Sequence, residues 1–206
     1  MFRWELTEAL SKGRVIAIVR TGDAASALAT GQALLDAGLP AVEVSLTVPG
    51  ALEAVAQLAA TAPVGALVGA GTILDAATAR AAILAGAQFL VSPAVRPEVI
   101  ATAARYGRPV IPGAGTAGEV VAALEAGADM VKLFPASALG LATLRALRAA
   151  LPQAPLAPTG GIGVEDARQW LEAGAVAVGV GGGLSSGSPD EVRRAGEKLL
   201  GEVAGM

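Results

Sequence analysis

Lys132 stands in the run Asp129-Met130-Val131-Lys132-Leu133-Phe134-Pro135, and of the chain's three lysines it alone falls in an apolar segment; Lys12 and Lys198 lie in helical surface patterns. Loss of water disfavours an ammonium, so a lysine buried there is expected to have a lowered pKa and to present a free amine able to attack a ketone. A lysine that snorkels out of the sheet, or pairs with a carboxylate, is the other reading of the position. Glu43, in Ala41-Val42-Glu43-Val44-Ser45-Leu46, is the matching carboxylate. Burial raises the pKa of such a group, which suits it to pass protons to and from a bound intermediate; a structural partner of Arg20 or Lys132 is the alternative. The third cluster is glycine: Thr159-Gly160-Gly161-Ile162-Gly163 and Gly179-Val180-Gly181-Gly182-Gly183. Without a Cβ the backbone approaches an anion closely, and the N–H groups of the loop and of the following helix start can point at it. One such loop is usually a tight turn, but two at adjacent strand ends favour phosphate.

These side chains need elements that hold them at one end of a sheet. Short runs rich in Val, Ile, Leu and Ala, bounded by Gly or Pro, alternate with longer helical stretches throughout. The expected strands cover 14–19, 41–46, 64–69, 88–92, 109–112, 129–134, 155–158 and 176–181. Eight strands, apolar on both faces, predict an α/β protein: a single (β/α)8 barrel spanning 1–206 as one domain, with helices outside. An open doubly wound sheet is the competing architecture. Ala37-Gly38, Ala85-Gly86, Ala126-Gly127 and Ala173-Gly174 each close a helical pattern just before a strand, where glycine suits a left-handed C-cap. Residues 2–12 read as a short amphipathic N-terminal helix against the barrel bottom, and 189–203 as the closing helix. In a barrel the site is built where strands end and βα loops begin, which is where Lys132 and both glycine segments fall.

Composition narrows the chemistry. The 206 residues contain no Cys and no His, so thiolate nucleophiles, disulfides, zinc-thiolate sites and imidazole catalysis are excluded. Carboxylates, lysine, hydroxyls and backbone remain. A net charge of -3 with 3% aromatic residues offers neither an electrostatic footprint nor a stacking platform for nucleic acid. No apolar stretch is long enough to span a membrane, and Met1-Phe2-Arg3-Trp4-Glu5 opens no signal-peptide core, so a cytoplasmic location is expected.

Taken together, the segments 42–49, Gly69-Ala70-Gly71-Thr72, Val91-Ser92-Pro93, Ile111-Pro112-Gly113, Val131-Lys132-Leu133-Phe134-Pro135 and Pro158-Thr159-Gly160-Gly161-Ile162 resemble the 2-keto-3-deoxy-6-phosphogluconate and 4-hydroxy-2-oxoglutarate aldolase family, in order and over nearly the whole chain. The resemblance implies a class I aldolase acting on a small 2-keto acid, assembled as a homotrimer, with no metal and no cofactor. It implies Lys132 as the Schiff-base lysine and Glu43 as the proton carrier. Thr72, Pro93, Phe134 and Thr159 would line the pyruvate end, Arg20 would hold a substrate anion, and Gly160, Gly161, Gly181 and Gly182 would hold phosphate. Two positions depart from the pattern. Many members carry Arg where this chain has Thr47, which leaves Thr47 or Arg20 to receive the carboxylate. Members often have a Ser in the last glycine segment, and here the first is Ser185. Two other classes share the glycine loops: a phosphosugar isomerase or synthase, whose acid-base groups usually come from Cys, His or Asp at strand ends, and a non-catalytic phosphosugar-binding protein, which needs neither Lys132 nor Glu43.

Overall fold

Pro112 and the glycines of the third strand decide the details of a sheet that is otherwise regular. The computed structural model of the protein describes residues 1–205. Its strands are β1 (Val15–Val19), β2 (Ala41–Ser45), β3 (Leu67–Gly71), β4 (Phe89–Val91), β5 (Val110–Ile111), β6 (Gly113–Ala114), β7 (Val131–Leu133), β8 (Leu156–Pro158) and β9 (Val178–Val180). The helices are α1 (Arg3–Gly13), α2 (Ala24–Asp36), α3 (Ala51–Thr61), α4 (Ala76–Leu84), α5 (Pro97–Arg105), α6 (Ala117–Glu125), α7 (Ala136–Ala150), α8 (Ala167–Glu172) and α9 (Pro189–Val203), with a 3-10 turn at Val164–Asp166. This is an α/β fold whose strand pairs are parallel. One sheet has the order β5-β4-β3-β2-β1-β9 and the other β6-β7-β8.

The expected strand 109–112 is two segments. Proline has no N–H to donate, so the ladder breaks at Pro112 and resumes at Gly113, while the Pro112 carbonyl still accepts from Lys132 N–H at 2.8 Å. At the far edge, Thr159 bridges Gly179, and Val176 N–H donates to Leu156 O at 3.0 Å. The expected strand 64–69 is displaced to Leu67–Gly71. Val64 is exposed and Gly65, at φ 94°, is part of the preceding turn. The helix ends follow expectation. Gly38, Gly86, Gly127 and Gly174 all have positive φ, and each pair of N–H groups, such as Gly38 to Leu35 O and Leu39 to Leu34 O, closes a Schellman cap.

Alternation along each strand sorts the side chains. Val15, Ala17, Val42, Val44, Leu156 and Val178 are among those that pack under the helices. The opposite parity, including Ile16, Ala41, Leu67, Phe89 and Met130, faces inward and is floored by Leu6 and Leu10 of α1. Full burial of each large side chain here contributes about 1.5–3 kcal/mol. Gly69 is glycine because a Cβ there would overlap the Phe89 ring. The α1 floor is fixed from below by Asp129, whose carboxylate accepts from Arg3 Nε at 2.8 Å, from Arg3 Nη2 at 2.6 Å and from Val110 N–H at 2.9 Å. Two residues beyond Ala41 and Met130, on the same inward face, stand Glu43 and Lys132.

Candidate active site

Above the apolar floor, at the C-terminal ends of β1, β7, β8 and β9, is a cavity of about 330 Å³. Eight of the residues expected from the sequence line it: Arg20, Lys132, Phe134, Thr159, Gly160, Gly161, Gly181 and Gly182; Ile18 and Ser185 complete the wall. Glu43, Thr47, Thr72 and Pro93 do not line it; they sit on the β2–β4 side.

Lys132 is 7% exposed. Its Nζ lies 4.9 Å from the centroid of the Phe134 ring, and among the described residues it forms no ion pair. The reading of Lys132 as half of a structural ion pair therefore has no partner. Glu43 is equally buried, and loss of hydration pushes its pKa above the ordinary carboxylate range, with the charges of Lys132 and Arg20 partly opposing the rise. Its seat is made by Gly71, the neighbour of Ser45 on β3, where a Cβ would collide with Glu43 Oε1. Glu43 thus has charged company without a salt bridge, and its burial favours the protonated form.

Two loops close the other end. Gly160 and Gly161 have φ of 95° and 73°, and a Cβ on either would strike Phe134 or Ser137. Gly179, within β9, leaves room for the Thr159 side chain. Gly181 and Gly182 have no such crowding, so their bare backbone serves the cavity rather than the packing. The closing helix begins at Pro189, as expected, and Ser188 caps it by accepting from Glu191 N–H. Ser185 bridges the loop to β1, donating to Ile18 O at 2.9 Å and accepting from Arg20 N–H at 3.2 Å.

On the β2–β4 side, Ser45 Oγ lies 2.9 Å from both Thr47 Oγ1 and Thr72 Oγ1, and Thr72 has φ 63°. Ser92 donates to Ala94 O at 2.8 Å and fixes the turn that carries Pro93. Sequence reasoning missed Ser45 and Gly71. Ser45 was findable, being two residues beyond Glu43 on one strand face. Ser185, 167 positions from Ile18, carries no such signal.

Within this α/β frame, a buried lysine without an ion-pair partner at a cavity wall, within electrostatic reach of a buried glutamate, defines a candidate lysine-centred site. The family model for KDPG and KHG aldolase matches residues 6–194, and the chain belongs to that family. It is 39% identical to the 2-dehydro-3-deoxy-6-phosphogalactonate aldolase of Escherichia coli K12, over 82% of this chain and 83% of the other. The structure of the 2-keto-3-deoxy-6-phosphogluconate aldolase of Zymomonas mobilis ZM4 with 3-phosphoglycerate superposes with a TM-score of 0.86 at 30% identity, covering 95% of this chain and 94% of that one. The KDPG aldolase of Legionella pneumophila, with pyruvate captured as a covalent carbinolamine, gives 0.81 at 27%, covering 96% and 95%. No helix among the described residues is long and apolar enough to cross a membrane.

Proposed function

We propose that the protein is a class I aldolase that cleaves 2-keto-3-deoxy-6-phosphogluconate to pyruvate and glyceraldehyde 3-phosphate. The observation that carries this reading is Lys132: buried, inward, without an acid partner, and at the wall of a cavity that ends in two glycine loops. The two sheets are read as one closed (β/α)8 barrel forming a single domain. In support, β5 and β6 are one strand broken at Pro112, and the Thr159–Gly179 bridge joins β8 to β9. A homotrimer in the cytoplasm is the assembly and location that go with the family.

The neutral amine of Lys132 adds to the C2 ketone, and loss of water leaves an iminium. A base takes the C4 hydroxyl proton, the C3–C4 bond breaks, and its electrons move to the iminium nitrogen as the aldehyde departs. The resulting enamine takes a proton at C3 from Glu43, and hydrolysis of the iminium returns pyruvate and free Lys132. Phe134 and Thr159 border the keto-acid end, with Thr72 and Pro93 on the β3–β4 side. Arg20 and the backbone of Gly160, Gly161, Gly181 and Gly182 take the phosphate, where remote binding energy orients the substrate. Thr47 is a hydroxyl at the mouth.

Borohydride reduction in the presence of pyruvate, followed by peptide mass spectrometry, tests the reading. Modification at Lys132 is expected; modification only at Lys12 or Lys198, or none, overturns it. The phosphate assignment is tested by kcat/KM. The phosphorylated acid should be preferred over 4-hydroxy-2-oxoglutarate, with inorganic phosphate as a competitor, and equal efficiencies without inhibition would reduce the glycines to turns. The similarity to the galactonate enzyme favours a second reading of substrate, the C4 epimer, which yields the same two products. Rates on the two epimers decide between them.

A further inference from the structure

Of the hydroxyls around the site, three have their single hydrogen committed to a backbone carbonyl. Thr159 donates to Ala157 O, Ser92 to Ala94 O, and Ser185 to Ile18 O. Ser137 stands over Gly161, on the phosphate side. The group formed by Thr47, Ser45 and Thr72 is different: three hydroxyls share two contacts of 2.9 Å, so one hydrogen of the three is left over.

Counting protons narrows where it can be. Ser45 has one hydrogen, so it donates to at most one threonine and accepts from the other. The threonine that donates to Ser45 has nothing left to give. The one that receives from Ser45 keeps its own hydrogen for a third group, and that bond is strengthened by the donor behind it. Ser45 has no exposure to solvent, so its geometry is set by these partners. Thr47 is exposed, and water can serve it. Thr72 is half-buried and follows Gly71, over which the Glu43 carboxylate lies. It also keeps φ at 63°, a costly conformation for a β-branched residue and one that concentrates at ligand clamps.

We propose that Ser45 is a positioning residue for Thr72, already assigned to the pyruvate end: it accepts from Thr47 and donates to Thr72, so that Thr72 keeps its own hydrogen for the carboxylate of the 2-keto acid held on Lys132. This rests on the aldolase reading above. With Arg20 assigned to the phosphate and Lys132 engaged in the Schiff base, a one-directional chain of neutral hydroxyls takes the carboxylate.

The test is a double-mutant cycle read by the pyruvate concentration that half-saturates borohydride trapping at Lys132. Ser45→Ala and Thr72→Val should each raise it about tenfold, the loss of a hydrogen bond to a charged group, with Thr47→Val raising it less. Because Ser45 acts through Thr72, Ser45→Ala should add nothing in the Thr72→Val background, and Thr72→Ser should stay within about twofold of the parent protein. Additive effects of Ser45→Ala and Thr72→Val would overturn the relay by giving Ser45 a merely structural role. A larger effect of Thr47→Val than of Thr72→Val would overturn its direction. Should Ser45→Ala fail to fold by circular dichroism, Ser45→Cys, near in size and a weak donor, takes its place in the cycle. Absence of any adduct in the parent protein would overturn the aldolase reading itself, an outcome distinct from these.

Discussion

Glu43 and Gly71 act as one unit, because the carboxylate occupies the space that a side chain on the neighbouring strand would fill. Gly71→Ala is therefore expected to displace the carboxylate and slow turnover by about 100-fold or more, the scale of losing a general acid-base, with Lys132 still trapped by pyruvate. Steady-state kinetics beside the trapping assay measure both. Glu43→Gln should slow exchange of the pyruvate methyl protons on the same scale, and a near-normal exchange rate by NMR would assign the transfer to another group. The substitution also changes how stability depends on pH. The folded protein raises the Glu43 pKa by burial, so it holds a proton that the unfolded chain releases earlier. The stabilising contribution is full below the ordinary carboxylate range and is lost as pH rises through the raised value. Melting temperatures of Glu43→Gln relative to the parent should accordingly improve as pH rises above the ordinary carboxylate range, and a constant difference would sink this account. Lys132 and Glu43 were legible because a charge inside an apolar strand stands out against its neighbours. Gly71 was not, since its reason is a side chain on another strand.

At the level of elements, the caps were read well because their cause is local. An Ala-Gly pair at the end of a helical pattern can close only with glycine at positive φ, and all four expected pairs do so. Gly107, also at positive φ, closes α5 in the same way, with Arg108 N–H to Ala103 O, but the preceding Tyr106 hid it from an Ala-Gly pattern. Strand limits were read less well where the cause is non-local. The run 64–69 is apolar enough for a strand, yet register with β2 places pairing at Leu67–Gly71, and Val64 is left outside. The lock between α1 and the strands was likewise invisible, because Arg3 and Asp129 are 126 positions apart. Its removal has a predictable cost. Asp129→Ala deletes a half-buried ion pair and strands the Val110 N–H, and is expected to destabilise the fold by about 2–4 kcal/mol in urea unfolding. Arg3→Ala should cost less, since the backbone contact survives, and equal losses would mean that the ion pair alone carries the lock.

For the molecule as a whole, the alternation of strands and helices was clear because each βα unit repeats the same apolar run and helical stretch, whereas the break at Pro112 needed the partners on both sides to be seen. The floor provided by Leu6 and Leu10 has a kinetic consequence. Since the inward face is filled at the N-terminal ends of the strands, substrate and products share one doorway at the other end. The glycine loops proposed to take the phosphate lie at that doorway, with Gly161 and Gly182 exposed, and Lys132, proposed to carry the covalent bond, lines the same cavity. Traffic is then obligatorily sequential: the phosphorylated aldehyde vacates the entrance before water hydrolyses the iminium, and pyruvate is last out. An ordered uni-bi scheme follows, in which pyruvate inhibits cleavage competitively and glyceraldehyde 3-phosphate noncompetitively. The reverse pattern in product-inhibition plots, with the aldehyde last out, would mean that pyruvate has a second exit.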